Sequence, residues 1–211
     1  VSLSTFSAAP LAGLLGWRMV LSIFSLVTLL GAFTWVILGR TRDTKYSEQV
    51  KLSLRDLWGI MRFRYTILIA LADLGPLAQY VALTSWLPTY YHEELGMTLA
   101  QAGFRVGLLP MAGLIALVAA GICAICIERR KPFLIIPGIF VGFAGAASFT
   151  VGDSAILFPV LIALGICSWV YIPFLFTIPM ELPGMSSQRL ALMMGTIITI
   201  GSIGSVVSPA V

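Results

Sequence analysis

Long apolar runs alternate with short polar gaps along most of this chain. Six runs are each about long enough to cross a hydrocarbon core of about 30 Å as a helix. They cover 19–39, 65–90, 106–127, 132–151, 154–180 and 190–211. The short gaps make neighbouring spans antiparallel, and the runs lack the alternating ten-residue segments of a membrane β-barrel. The pattern predicts an all-α fold, a polytopic membrane helical bundle.

Positive charge follows the same alternation. Eleven of the 13 Lys and Arg residues lie in every second gap, whereas the opposite gaps hold only Arg18 and Arg105. The eleven are Arg40, Arg42, Lys45, Lys51, Arg55, Arg62 and Arg64, then Arg129, Arg130 and Lys131, then Arg189. Because basic residues near span ends stay in the cytoplasm, the loop 40–64 is predicted to be cytoplasmic. We expect a multi-pass protein of the bacterial inner membrane.

Composition agrees with a lipid environment. The chain is 59% hydrophobic and 10% charged, against about a quarter charged in soluble proteins. The net charge of +4 forms no continuous face, and topology accounts for it. The lipid bilayer is therefore the predicted partner, and nucleic acid is not.

Neither end of the chain has the features of a natural terminus. It begins with Val1 rather than Met and stops at Val211 inside an apolar run. Residues 1–16 have no basic leader, so they resemble the tail of an earlier membrane helix more than a signal peptide. We expect a fragment of a transporter-sized protein whose N-terminal half is missing.

The cysteines and the single histidine suggest no chemistry. Cys123 and Cys126 form a Cys-x-x-Cys pair without a nearby His, so these thiols are expected to pack between helices. His92 stands alone at the end of a span. We predict no metal and no cofactor, and with one His and one acid inside the spans we predict no enzyme.

Two sets of small residues predict close helix packing. Gly138 and Gly142 form a small-x-x-x-small pair, and Gly195, Gly201 and Gly204 give the last span a small face. Small residues let helices approach closely in lipid. The loop 40–64 also contains an amphipathic piece from Leu52 to Met61, which predicts a short helix lying in the membrane interface.

Asp73 is the one acidic residue well inside a span. It follows eight largely apolar residues, so it lies roughly 12 Å from the cytoplasmic end of its helix. A carboxylate at that depth costs about 2.5–3.5 kcal/mol on insertion scales, so something must compensate. The carboxyl carries a coupling proton, contacts a cationic group of a solute, or is a structural group hydrogen-bonded to a neighbouring helix.

Two spans combine polar or aromatic residues with proline. In 65–90, Asp73, Tyr80 and Thr84 recur at helical spacing, with Gln79 adjacent and a kink expected at Pro76. In 154–180, Trp169, Tyr171 and Phe174 lie near Pro173, as a stacking wall for a ligand or as core packing. These are the first and fourth spans counted from residue 65. Interrupted spans at corresponding repeat positions indicate a transporter's binding site.

Several motifs resemble the major facilitator superfamily. Glu181-Leu182-Pro183 followed by Arg189 is similar to that family's E-x-P…R loop, and Arg129-Arg130-Lys131 is similar to the end of its G-x-x-x-D-R-x-G-R-R/K loop. The second loop departs from the pattern, since Ile125 and Cys126 stand where Asp and Arg would be. Further similarities are Leu15-Gly16-Trp17-Arg18, the long basic loop 40–64, and Trp86-Leu87-Pro88-Thr89-Tyr90 at the end of a span.

The resemblance implies twelve helices in two halves that rock about a central cavity. The chain would run from the end of helix five to helix eleven, with 1–39 ending the first half, 40–64 as the central loop and 65–211 in the second half. Spans 65–90 and 154–180 would line the cavity. Glu181, Arg189, Arg129 and Arg130 would belong to the loops that gate the conformational change. The motifs are most similar to bacterial members that carry small anions, such as cyanate-type transporters and anion–cation symporters.

The leading hypothesis is a secondary transporter that moves a small solute by alternating access, coupled to H⁺ or Na⁺. Asp73, Gln79, Tyr80, Thr84, Trp169, Tyr171 and Phe174 are the predicted solute- or ion-binding residues. One alternative is an uncoupled facilitator of the same fold. The other is a non-transporting sensor or assembly domain.

Overall fold

The computed structural model describes residues 11, 15–39, 54–127 and 129–210. Within them lie eight α-helices and a short 3₁₀ turn, Ser208–Ala210, but no strand. The helices are α1 (Trp17–Leu38), α2 (Leu54–Met61), α3 (Arg64–Glu93), α4 (Leu99–Cys126), α5 (Lys131–Thr150), α6 (Leu157–Val170), α7 (Ile172–Glu181) and α8 (Ser187–Val207). The predicted tail of an earlier helix and the basic residues Arg40, Arg42, Lys45 and Lys51 lie outside the described residues.

Six segments of the described chain are long and apolar enough to cross a membrane. They match the six predicted runs, so the prediction of an all-α multi-pass membrane protein is confirmed. The largest difference in boundary is at α4, which begins at Leu99 rather than at 106. Thr98 explains it, because its hydroxyl accepts from Gln101 N–H and the Gln101 side chain accepts from Thr98 N–H. This reciprocal cap satisfies the free N–H groups at the helix start.

The bundle is organised around two extensive helix pairs, α3 with α8 and α4 with α6. Glycines allow close approach in both. A Cβ at Gly204 on α8 would lie 3.0 Å from Leu74 Cγ and 3.3 Å from Ala78 Cβ on α3, and one at Gly165 on α6 would meet the Leu109 backbone of α4. The predicted packing role of small residues in the last span therefore agrees with the structure for Gly204.

Two other packing predictions are wrong for the described residues. Gly138 and Gly142 are exposed on α5, with open space where a Cβ would stand. Cys123 and Cys126 are exposed on α4, and only Cys167 is half-buried. Spacing along one helix identifies a small-residue face, but it does not determine which neighbour covers that face.

Helices α1 and α2 differ in how they meet the bundle. In α1, Val20 is the only buried residue, so nearly the whole helix is exposed. The short helix α2 packs against the start of α8, while Trp58 stays 58% exposed with the Arg62 guanidinium 5.2 Å from its ring centroid. The structure therefore contains the predicted amphipathic helix from residue 54, and its position in the membrane interface stays a prediction.

The span predicted at 154–180 is broken in the middle. Tyr171 ends α6 and begins α7. In an uninterrupted helix the N–H of residue 173 would donate to the Trp169 carbonyl, but Pro173 has no N–H. The Tyr171 N–H donates to that carbonyl instead. By contrast, α3 continues as one helix through Pro76 and Pro88, and the kink expected at Pro76 stays a prediction.

Candidate functional site

A cavity of about 180 Å³ lies between α3, the α6–α7 break and α8. It is mostly apolar but contains one carboxyl group and several hydroxyl groups. Its lining residues are Asp73, Leu77, Tyr80, Ser168, Trp169, Tyr171, Ile172, Phe176, Ile198 and Ser202. Four of the predicted binding residues, Asp73, Tyr80, Trp169 and Tyr171, therefore meet in one place.

Asp73 is buried, with 6% of its surface exposed. Its Oδ1 accepts a hydrogen bond of 3.0 Å from the Tyr171 hydroxyl, which connects α3 directly to the helix break. Its Oδ2 lies beside Gly201 of α8, where an added Cβ would meet it. The carboxyl thus has a neighbouring-helix partner, and the glycine provides the space it occupies.

Two hydroxyl groups of the cavity are oriented as hydrogen-bond acceptors, whereas the buried indole N–H of Trp169 is a donor without a hydrogen-bond partner among the described residues. The Ser168 hydroxyl donates to Leu164 O, and the Ser202 hydroxyl donates to Ile198 O, each at 2.7 Å within its own helix. Their oxygen lone pairs remain available, as does the Asp73 carboxylate. No basic side chain lines this cavity among the described residues. The cavity therefore offers acceptors to a proton, a cation or a hydrogen-bond donor, and a single indole donor to an acceptor.

Aromatic contacts hold the opposite wall of the cavity. Tyr80 and Trp169 meet edge to face, with ring centroids 5.4 Å apart and planes at 89°. Trp169 also lies against Gly113 of α4, where an added Cβ would be 2.8 Å from its Cγ. Trp169 therefore packs between α3 and α4 at the wall of the cavity, and its stacking role toward a ligand stays a prediction.

Three predicted binding residues lie elsewhere. The Gln79 side-chain amide donates to Val141 O at 2.7 Å and joins α3 to α5. Thr84 does not line the cavity, and its hydroxyl donates to Tyr80 O in its own helix. Phe174 is fully buried and stacks on Phe133, with centroids 4.3 Å apart.

Two of the four predicted gating residues, Arg130 and Glu181, form an ion pair with each other. Arg130 donates from Nε to Glu181 Oε2 at 2.9 Å and from Nη2 to Oε1, and its Nη1 donates to Ala124 O at 3.1 Å. The Glu181 carboxylate raises the pKa of the Arg130 guanidinium through these hydrogen bonds. The pair joins the α4–α5 gap to the end of α7. Arg129 and Arg189 are exposed, and neither forms a salt bridge with another described residue.

A second ion pair lies at the other end of the bundle. Arg105 on α4 donates to Asp153 in the gap between α5 and α6, and its guanidinium is 5.3 Å from the Phe158 ring centroid. Arg105 is thus paired with Asp153 and not with Asp73.

The sequence model of the Major Facilitator Superfamily matches residues 1–209 of this chain. The chain belongs to the Major Facilitator Superfamily. The family assignment made from the loop motifs is confirmed, and the superfamily's helical architecture agrees with the bundle of membrane helices described above.

Curated relatives within the superfamily are distant. A nitrite extrusion protein of Bacillus subtilis is 23% identical over 141 residues, which are 67% of this chain and 34% of that protein. A probable nitrate transporter, NarT, of Staphylococcus carnosus is 24% identical over 160 residues, which are 72% of this chain and 40% of that protein. The chain thus spans between a third and two fifths of the length of these relatives. No solved structure gives a significant match.

The sequence analysis did not assign Ser168, Ile172, Phe176, Ile198 or Ser202 to the site. Ser168 is adjacent to the predicted residue Trp169, and its polar side chain inside an apolar span was the available signal. The apolar lining residues carry no chemical signal, and only the packing of α8 against α3 brings Ile198 to the cavity.

Proposed function

We propose that the complete protein is a secondary transporter that moves a small anion by alternating access and couples this movement to a cation, H⁺ in the first place. In this proposal Asp73 binds the coupling ion, and the cavity around it forms part of the translocation path. Tyr171 transmits the state of Asp73 to the junction between α6 and α7. Superfamily membership supports transport, and the site supports the coupling.

The observation that carries the proposal is the hydrogen bond between Asp73 and Tyr171 at a helix break. An ionised carboxylate within a membrane costs about 2.5–3.5 kcal/mol on insertion scales. A hydrogen bond to a charged group contributes about 1.5–3 kcal/mol. The cost of the ionised carboxylate and the stabilisation by its hydrogen bond nearly balance. A carboxyl group needs this balance to take up and release a proton during a transport cycle.

The anion is proposed from the relatives rather than from the cavity. Two of them carry the names nitrite extrusion protein and probable nitrate transporter. Because the cavity wall has one unpaired indole donor, at Trp169, but no basic side chain among the described residues, the positive charge that binds an anion would come from other parts of the protein. This half would then contribute the coupling site, and the anion would contact it only at its edge.

The test replaces Asp73 by Asn in the full-length protein. Uptake of nitrate and nitrite into proteoliposomes is measured with and without a proton gradient, and in a parallel series with a Na⁺ gradient. We expect Asp73→Asn to abolish gradient-driven accumulation while exchange of internal for external anion continues. Glu94→Gln removes an exposed carboxylate of α3's C-terminal end and serves as the matched control with normal accumulation.

Other outcomes identify the alternatives. Gradient-dependent uptake that is undiminished in Asp73→Asn would overturn the coupling role of Asp73. Uptake that is independent of both gradients in the wild type would indicate an uncoupled facilitator. A wild-type protein that binds the anion without moving it would indicate a sensor or assembly domain.

A further inference from the structure

An apolar groove of about 550 Å³ lies on the outer surface of the bundle, between α4 and the α6–α7 span. Its floor is formed by small side chains, and larger aliphatic side chains form its walls. We call it the alanine groove, and define it by Ala112, Ala116, Ala119, Ala120, Ile162 and Ile166. The alanine groove is distinct from the cavity at Asp73, since the two share no lining residue.

The groove has the dimensions of an acyl-chain site. Its lining on α4 extends from Leu108 to Cys123, which is about 22 Å at 1.5 Å per residue. One leaflet contributes about 15 Å of hydrocarbon, so an extended chain entering at one end would pass the middle of the bilayer. The lining side chains are apolar throughout apart from the Cys123 thiol.

An aromatic pair lines one end of the groove. Phe133 and Phe174 both line it and stack on each other, with centroids 4.3 Å apart. Phe174 is one of the three predicted binding residues that do not line the Asp73 cavity. It lines a different apolar site, together with its stacked partner.

Basic side chains lie at the start of the helix that carries Phe133. Lys131 begins α5, two residues before Phe133, and Arg129 precedes it. Both are exposed, whereas Arg130 between them is occupied by Glu181 and Ala124 O. Glu128, outside the described residues, reduces the local charge, yet Arg129 and Lys131 leave the gap with a positive balance.

We propose that the alanine groove binds one acyl chain of an anionic phospholipid, with its phosphate headgroup between Arg129 and Lys131. A basic residue near the membrane surface attracts anionic lipid with about 1 kcal/mol, which corresponds to about five-fold in occupancy per residue. The apolar groove selects a chain, and the two cations select the headgroup. A chain in this site stabilises the α4–α6 pair from outside.

The test uses Cys123 as a native reporter, because it lines the groove and is exposed. The full-length protein, with every other cysteine replaced by Ser, is labelled at Cys123 with a bimane fluorophore. It is reconstituted into phosphatidylcholine vesicles that contain equal small fractions of brominated phosphatidylglycerol or of brominated phosphatidylcholine. We expect the anionic brominated lipid to quench at least about five-fold more effectively per molecule.

Three controls make the result specific. Arg129→Gln with Lys131→Gln removes the headgroup preference, and Ala119→Trp fills the groove and reduces quenching by both lipids. Ile136→Cys, in a background without Cys123, places the label on an exposed face of α5 at a similar depth and shows no headgroup preference.

Two results would overturn the proposal. Equal quenching by the two lipids at Cys123, or an equal anionic preference at Ile136→Cys, would mean that only ordinary annular lipid surrounds the protein. Absence of quenching by either lipid would mean that another part of the protein covers the groove.

Discussion

The spans α3 and α6–α7 are similar in composition but differ in helix continuity. Both are long and apolar, both line the cavity, and both contain prolines. Helix α3 runs for 30 residues through Pro76 and Pro88 without a break, whereas the other span divides at Tyr171 into helices of 14 and 10 residues. A missing backbone donor at proline is therefore insufficient to interrupt a span.

The two spans also differ in their helix neighbours. Helix α3 packs along α8, where Gly201 and Gly204 let the two backbones approach. Helix α6 packs extensively on α4 and α5, whereas α7 contacts several helices less extensively. Phe174 and Leu175, just beyond Tyr171, are nevertheless fully buried, so the break coincides with a change of helix neighbours and not with a loss of burial.

The largest expected effect on stability comes from disturbing the contact between α8 and α3. Gly201→Val places a branched side chain against Asp73 Oδ2 and 3.5 Å or less from Leu77 Cδ2, which forces α8 away. Overpacking of this kind costs about 1–3 kcal/mol. We expect a drop of several degrees in the thermal unfolding midpoint of the detergent-solubilised protein.

Gly195→Val is the matched control, because an added Cβ there meets open space. Both changes introduce the same residue into the same helix, so their difference isolates the contact with α3. Equal midpoints for the two variants would show that α8 does not hold α3 in this way.

A smaller effect is expected from repairing the break itself. Pro173→Ala supplies the N–H that can donate to Trp169 O, and one backbone hydrogen bond contributes about 1 kcal/mol. If the break must bend during transport, uptake should slow by about five-fold. Pro76→Ala makes the same change in α3, which is already continuous, and should leave uptake close to that of the wild type. Initial uptake rates in proteoliposomes compare the two, and equal rates would show that the break does not move.

The smallest effect is expected at the exposed end of α7. Arg130→Glu places two carboxylates side by side and should lower uptake slightly, with little change in folding because Glu181 is exposed. Arg130→Glu combined with Glu181→Arg restores the opposite charges and should restore uptake. A double variant as slow as the single one would mean that the charges act separately.

Hydropathy and charge were sufficient to predict the six spans, because membrane helices must be long and apolar and their ends carry topology signals. They could not predict which side chains share a cavity. Gln79 and Tyr80 are adjacent, yet their directions differ by about 100° around the helix, so Gln79 contacts α5 and Tyr80 faces Trp169. Helical spacing grouped Thr84 with Asp73, although Thr84 lies one turn beyond the cavity.

Phe174 shows a further limit of periodicity. Counting from Trp169 or Tyr171 assumes one continuous helix, but the span is broken at Tyr171, and Phe174 meets Phe133 instead of Asp73. Similarly, the sequence indicated a buried acid without naming its partner, because Tyr171 is 98 positions away. The cytoplasmic orientation of the loop 40–64 and the division at residues 39 and 64 stay predictions.

The position of Tyr171 between two helices has a mechanical consequence. Helix α7 has 10 residues and is therefore about 15 Å long. With α6 held on α4 and α5, α7 forms a short lever whose pivot is the residue that binds Asp73. A tilt of about 10° at that pivot displaces the far end, where Glu181 binds Arg130, by roughly 2.6 Å. A change at the Asp73 carboxyl group in the membrane interior would thus produce, at the surface, a displacement about as large as the length of a hydrogen bond.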